Sequence, residues 1–247
     1  MTDLYYDLHI HSCLSPCGDN DMTPANIAGM AHVKGLDIIA LTDHNACRNA
    51  PYVMKAAQAY GITVIPGMEL TTSEEAHVVC LFPDIEAALA FDAFVYERLQ
   101  KVENRKDIFG DQLIMNEEDE VLGEEPYLLI NATTISFDDV FEILKPYDGL
   151  MIPAHLDKET DSIISQLGAI PPTALFTVAE IKNPARTEEM INAHSYLKRC
   201  RIITDSDAHY LGDIAEPVRT LALLHARPSA KEVIEVLREE AATGGKQ

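Results

Sequence analysis

The stretch Asp7-Leu8-His9-Ile10-His11-Ser12, close to the N-terminus, constrains this chain more than any other. Tyr5, Asp7, His9 and His11 alternate with Tyr6, Leu8 and Ile10, which is the period of an extended strand. Successive side chains of a strand point to opposite faces, so His9 and His11 project from the same side, roughly 7 Å apart. Two imidazoles so placed can converge on one metal ion where the strand runs out into a loop. For the pair taken alone, a partly buried strand with two hydrogen-bonded histidines is the plainer reading. The rest of the chain decides between the two.

Behind that strand, the turn-rich segment from Ser12 to Asp21 carries Pro16, Gly18, Asp19 and Asn20. Thr23-Pro24 predicts a helix start, with Thr23 as N-cap and Pro24 in the first helical position, and Gly35 ends that helix. Residues 36–42 form a nearly continuous apolar run, as in a strand covered on both faces, and lead into Asp43-His44-Asn45. A helix over 50–60, strands over 62–69 and 77–82 and a helix over 85–102 follow. Residues from about 104 to 136 break this alternation. They are polar, include the acidic block Glu117 to Glu120, and read as a solvated loop or hairpin that could also cover a site. Beyond them come a helix over 137–147, strands over 150–155, 174–181, 200–204 and 218–224, a helix over 187–197, and a closing helix capped by Ser229. Short links between strands and helices favour parallel strands with right-handed crossovers. No Ser- or Gly-rich linker divides the 247 residues, so one barrel-like domain over 1–247 is expected, with 104–136 as an acidic insertion.

Metal-capable side chains fall at the ends of these strands: His9 and His11, His44, Glu69, His155, and the pair Asp207 and His209. His77 opens its strand instead. In parallel barrels the catalytic groups gather at the C-terminal ends of the strands, on one face. Six of the nine histidines lie at or near such ends, whereas His32 and His194 fall within helices and His225 in the tail. That shared placement turns the plainer reading into a metal site. Asp7 and Asp43 read equally well as carboxylates that orient ligating histidines or as structural acceptors. Cys13, Cys17 and Cys47 could lie close by, but a dedicated thiolate site would need four converging ligands.

Charge narrows the choice of partner. With 40 acidic against 19 basic residues the formal charge is −21, which repels a polyanion and argues against a long nucleic-acid track. A small anionic substrate is still compatible if bound metals supply local positive charge. No apolar run approaches the roughly 20 residues needed to cross a bilayer, and Met1-Thr2-Asp3 does not begin a signal peptide. The five cysteines are odd in number and scattered, so reduced thiols and a cytoplasmic location are expected.

Four segments together, Asp7-Leu-His9-Ile-His11-Ser12, Leu41-Thr-Asp43-His44-Asn45, Gly67-Met-Glu69 and Ser206-Asp207-Ala-His209, make the chain resemble the polymerase and histidinol phosphatase (PHP) domain family along nearly all its length. The resemblance implies a distorted, TIM-like, seven-stranded β/α barrel with up to three divalent ions at its mouth. Carried over by position, His9, His11, Glu69 and Asp207 would hold the first ion. Glu69 would bridge to a second ion with His77 and His155. His44 and His209 would hold the third, with a ligand from the turn after the first strand. That turn is longer here than the family's usual one, and counting back from Thr23-Pro24 selects Asp19, with Asp21 and Cys17 as substitutes. Mixed imidazole and carboxylate ligands suit Zn, Mn or Fe without selecting among them.

Two or three such ions would bind a phosphate oxygen, lower the pKa of a bridging water and let it attack phosphorus in line. Glu69 and Asp207 would be catalytic through the ions they hold, and His209 would be free to act as general acid only where the third ion is absent. Arg48, Lys182 and Arg186 follow strand ends and are candidate phosphate contacts. The expected enzyme hydrolyses a small phosphate ester, with a nucleotide-type monoester or diester favoured over histidinol phosphate or a sugar phosphate. An amidohydrolase-type barrel and a non-catalytic metal-binding module are the rivals, and an exonuclease is conceivable only for short oligonucleotides.

Overall fold

The computed structural model describes residues 1–243 of the chain. In order, its elements are β1 (Thr2–Ile10), α1 (Pro24–Lys34), β2 (Ile38–Leu41), α2 (Ala50–Ala57), β3 (Thr63–Thr71), β4 (His77–Leu81) and α3 (Ile85–Tyr96). Next come α4 (Lys106–Phe109), β5 (Leu113–Met115), β6 (Val121–Glu124), α5 (Phe137–Leu144), β7 (Leu150–Pro153) and α6 (Ile163–Leu167). The chain continues with β8 (Val178–Glu180), α7 (Thr187–Ala193), β9 (Arg201–Ile203), β10 (Thr220–Leu223) and α8 (Ala230–Thr243).

Local chemistry sets several of these boundaries. The Thr23 side chain accepts from the Asn26 amide at the start of α1, and Gly35, at φ 75°, closes it by donating to Ala31 and His32 carbonyls. All four residues of β2 are buried, as an apolar run covered on both faces requires. In α5, Phe137, Val140 and Leu144 repeat at helical spacing and form its buried face.

One six-stranded sheet runs in the order β10-β1-β2-β3-β4-β7, and β8 and β9 form a separate parallel pair. Hydrogen bonds join the two into a curled wall. The Leu156 amide reaches the Glu180 carbonyl at 2.9 Å, and a bridge between Ile10 and Ala208 returns the chain after β9 to β1. Leu8, Ala40, Ile65, Val79, Ile152, Val178 and Ile203, one from each of seven staves, pack in a single buried cluster inside that wall. α8 closes one end with Val233, Ile234 and Leu237.

The expectation of all-parallel strands fails at β4 and β10. β4 runs antiparallel to both β3 and β7, with Thr71 opposite His77, because only five residues separate β3 from β4 and so short a link permits a hairpin but no crossover. This reversal brings the first residue of β4 to the rim where the other staves end. β10 pairs antiparallel with the start of β1, outside the ring. The helix expected over 85–102 stops at Tyr96, and α6 was not anticipated.

The acidic stretch is more ordered than a solvated loop. It folds into α4 and the β5–β6 hairpin and docks on two loops of the wall. Leu113 donates to the Cys13 carbonyl at 2.8 Å, and the Asn49 side chain bonds both Leu113 and Met115. The Asn45 amide reaches the Leu129 and Asn131 carbonyls. Within the acidic block, Asp119 accepts from Ala25 and Glu117 pairs with Lys55. The loop after β1 is equally tight, since a Cβ on Gly18 would sit 2.3 Å from the Ser12 carbonyl oxygen. Gly18→Ala should therefore destabilise the fold by about 1–3 kcal/mol, the scale of a forced overpacking. Denaturant unfolding reads this, and an unchanged midpoint would contradict it.

Candidate metal centre

β1, β2, β3, β7 and β9 all run out at one rim, and β4 begins there. Their terminal side chains meet around Glu69. His9, His11, His44, His77 and His155 each place a ring nitrogen 3.0–3.3 Å from one of its carboxylate oxygens. All of these residues are buried. Asp207 adds a second carboxylate, with Oδ1 3.6 Å from His9 and 3.5 Å from His11. His209 lies 4.2 Å from His11, ring centre to ring centre. His155 (φ 31°) and Asp207 (φ 50°) hold left-handed backbone, a conformation that costs about 1–3 kcal/mol at non-glycine residues and clusters at functional sites.

Hydrogen bonds fix which nitrogens carry protons. A carboxylate can only accept, so His9 Nδ1 donates to Glu180 at 2.7 Å and leaves Nε2 facing the cluster. Ser15 Oγ gives its proton to Asp43 at 2.7 Å, so it accepts from His11 Nδ1 at 3.0 Å and His11 Nε2 also faces inward. His209 Nδ1 donates to the Asp207 carbonyl at 2.9 Å. As neutral imidazoles, His9 and His11 thus point nitrogen lone pairs at each other across 3.2 Å and at two carboxylates. His44 Nδ1 and Glu69 Oε2 are buried 3.1 Å apart, yet neither has a hydrogen-bond partner. Such an arrangement is repulsive unless positive charge enters it, as protons on the rings or as a cation between the ligand atoms. The donor set fits divalent ions.

Titration behaviour carries the same signature. Burial opposes charge on Glu69, yet His77, His9 and His44 hold its carboxyl well below the usual range. Asp207 is likewise held far down by His9 and His11 against the cost of its burial. Burial opposes charge on His9, but Glu180, Glu69 and Asp207 outweigh it and raise its pKa. Burial and His11 lower His209 to about 4, so its imidazole is neutral near pH 7.

Among the described residues, three groups have ligand atoms close enough to share an ion: His9, His11, Glu69 and Asp207; His44, Glu69 and His77; and His11, His44 and His209. The first is the set carried over from the family resemblance. In the second, His44 stands where His155 was expected, although His155 also touches Glu69.

Several residues singled out in the sequence make contacts of their own outside the three groups. The Asp19 carboxylate accepts from the Asp21 amide at 2.9 Å and joins none of the three groups; only its backbone, bonded to the His209 carbonyl, borders the site. Arg48 is held by Glu125 and Asp92 and lies over Tyr96, so its charge is already paired. Arg186 is tied to the Asp157 carbonyl and Glu189. Asp7 serves the loop, accepting from Ser206 and Ala215. Buried Cys13 and Cys47 take local partners, Met115 and the Gly67 carbonyl.

Lys182 does reach the site: it and Lys158 each place Nζ 3.1 Å from Asp207 Oδ2, on the oxygen turned away from the histidines. Burial opposes the Lys158 charge, but Asp207 raises its pKa and keeps it cationic. Sequence reading missed Lys158 and Glu180. Lys158 stands three residues after His155, a spacing that could have drawn attention; Glu180 ends a strand in the same way as the expected ligands.

The PHP domain model matches residues 7–240. The chain belongs to the PHP domain family. Two curated relatives are similar over short stretches. An uncharacterised protein of Methanocaldococcus jannaschii is 34% identical over 84 residues, 31% of this chain and 48% of that one. A 5'-3' exoribonuclease of Haemophilus influenzae is 34% identical over 79 residues, 31% of this chain and 28% of that one. The matched segments therefore span less than half of each relative. Among solved structures, a lesion-specific endonuclease from Pyrococcus furiosus superposes with a TM-score of 0.69 at 17% identity, covering 96% of this chain and 56% of that one. A candidate metal-dependent phosphoesterase from Bifidobacterium adolescentis gives 0.58 at 17%, covering 94% and 95%. An amidohydrolase from Chromobacterium violaceum gives 0.57 at 17%, covering 94% and 96%. These likenesses establish that the curled α/β wall is the PHP fold.

Glu180 tests whether the cluster is organised for metal. Glu180→Ala removes the acceptor that orients His9 and should weaken divalent-ion binding about 10–100-fold, as loss of such supporting partners does. Calorimetric titration with Mn or Zn reads the change, and equal affinity would contradict it.

Proposed function

We propose that this PHP-family chain is a metal-dependent phosphoesterase that hydrolyses a small phosphate ester, with a nucleotide-type ester favoured. One observation carries the reading. Two lysines converge on the outward oxygen of a carboxylate whose inward oxygen faces the metal-ligand histidines, so fixed cations border the centre where an anionic substrate would enter.

Divalent ions, when bound, supply charge neutralisation for the phosphoryl group and a water activated at neutral pH. The chain's own residues supply the rest. Glu69, Asp207 and the histidines would hold the ions, with His9, His11, Glu69 and Asp207 as one set. Glu180 fixes the ring of His9, and the Asp43–Ser15 pair fixes that of His11. Lys158 and Lys182 would draw in and orient the phosphate as point charges. Their side chains are 36% and 41% exposed, so they are free to leave Asp207 for a substrate. His209, neutral near pH 7 and with Nδ1 already donating, suits a ligand better than a proton donor.

A second reading, cleavage at the ends of short oligonucleotides, draws support from the exoribonuclease relative. The charge of −21 weighs against any longer track. The insertion over residues 104–136, docked beside the rim, would cover the centre. Release of phosphate from nucleotides, sugar phosphates, histidinol phosphate and short single-stranded oligonucleotides, each with Mn, Fe and Zn, tests the assignment.

Two outcomes are expected. His9→Ala and Asp207→Ala abolish phosphate release from a chromogenic ester while the circular-dichroism spectrum stays folded; full turnover in both would misplace the site. Replacing Lys158 and Lys182 together by Ala raises KM about tenfold, roughly 1.4 kcal/mol, with a smaller effect on kcat. An unchanged KM would return both lysines to the surface.

A further inference from the structure

Asn45, the residue after His44, is fully buried and holds left-handed backbone at φ 47°, a conformation that Asn adopts more readily than most residues. Its hydrogen bonds run in two directions. Toward the metal centre, its backbone amide donates to the Glu69 carbonyl at 3.0 Å, and its Oδ1 accepts from the Thr71 amide at 2.9 Å. Asn45 is therefore bonded both to Glu69 and to the residue two places further along β3. His44 itself pairs with Glu69 as an isolated parallel bridge. Toward the insertion, Asn45 Nδ2 uses both hydrogens, on the Leu129 carbonyl at 2.7 Å and the Asn131 carbonyl at 2.9 Å.

The hold continues into the insertion. Leu129 is fully buried in a cluster with Leu14, Ala46 and Leu99. Its amide donates to Gln112 Oε1 at 2.8 Å, and Gln112 Nε2 donates to the Glu125 and Tyr127 carbonyls at 3.0 and 2.8 Å. Gln112 is fully buried and stands immediately before β5. On the other flank, the Thr133 amide and hydroxyl both donate to the Thr71 carbonyl, at 3.0 and 2.8 Å. Hydrogen bonds thus run without a gap from the Glu69 backbone through Asn45 and Leu129 to Gln112 and the base of the β5–β6 hairpin. Undocking the insertion would take both acceptors from Asn45 Nδ2, and a buried donor left unpaired is strongly disfavoured.

We infer that Asn45 is a positioning residue that couples the insertion to the metal centre, so that ion binding and insertion docking stabilise each other. The inference rests on the cluster being a metal centre, and it gives the acidic insertion a part in holding the ions. Ions bound by His44 and Glu69 fix the backbone to which Asn45 is bonded. A fixed Asn45 then presents both donors to the insertion. The reverse holds by thermodynamic necessity: whatever factor the ions lend to docking, docking lends to ion affinity. Each of the three ion-sharing groups contains His44, Glu69 or both, so none is independent of Asn45. A packed, hydrogen-bonded chain of this kind is the physical route by which two regions bias one another.

Three measurements on the full chain test this. In chelator-stripped wild-type protein, loading with Mn should slow hydrogen exchange of the Leu113, Leu129 and Thr133 amides about tenfold, a typical coupling between sites. Gln112→Ala cuts the chain inside the insertion, where Gln112 bonds only other insertion residues, yet calorimetric titration should show Mn affinity lowered about tenfold. Asn45→Asp keeps the size, the left-handed backbone and the oxygen that Thr71 needs, but a carboxylate cannot donate to the Leu129 and Asn131 carbonyls. It should weaken Mn binding and abolish the effect of Mn on exchange, with the circular-dichroism spectrum still folded. A merely structural Asn45 would leave Gln112→Ala with wild-type affinity. That result, or equal exchange in wild-type protein with and without bound Mn, would overturn the coupling while leaving the metal centre intact. Wild-type protein that binds no Mn would overturn both.

Discussion

The contact of five imidazoles with one buried carboxylate governs the rest of this structure. Glu69 cannot be buried as a lone charge, because an unpaired carboxylate in a protein interior is far too costly. Nor can five neutral imidazoles surround it comfortably when several of them present lone pairs. Positive charge must enter, either as protons on the rings or as metal ions between them. Around Glu69 the chain arranges Glu180, Ser15 and Asp43, which turn the inward nitrogens of His9 and His11 toward a common point.

The fold is the device that makes this convergence affordable. A continuous buried cluster of aliphatic side chains from seven staves fixes the wall, and the polar groups sit only where the staves end. The antiparallel turn of β4 belongs to the same logic. It carries His77 to the shared rim even though His77 is the first residue of its strand. The left-handed backbone at His155 and Asp207 places strain at two residues of the centre, borne by the packed wall beneath them.

Much of this was legible in the sequence, and the reasons are specific. The His-x-His pair, the Thr23-Pro24 helix start and the Gly35 stop are local signals set by strand period and capping chemistry, and each falls where expected. The histidines at strand ends were visible because alternating strands and helices impose a common exit. Less legible was anything fixed by partners distant in the chain. The pairing of Arg48 with Glu125 depends on the docked insertion and is not visible from the strand end that Arg48 follows. The contact of the Asp19 carboxylate with the Asp21 amide was likewise hidden, because it depends on how the turn after β1 closes. Lys158 and Glu180 were hidden for the converse reason, since only tertiary contact with Asp207 and His9 gives them a role. The acidic stretch carried no periodicity to show that it would fold against the β1 and β2 loops.

Each of these observations depends on the cluster being a place for metal. The most direct measurement is the number of ions bound by chelator-stripped protein on reloading with Mn or Zn, read by calorimetric titration and elemental analysis of the wild type and of Glu69→Gln. The account predicts two or three ions per folded wild-type chain, and fewer, more weakly held ions once the central carboxylate is neutral. Wild-type protein that takes up none, or a Glu69→Gln variant that binds as many as tightly, would contradict it.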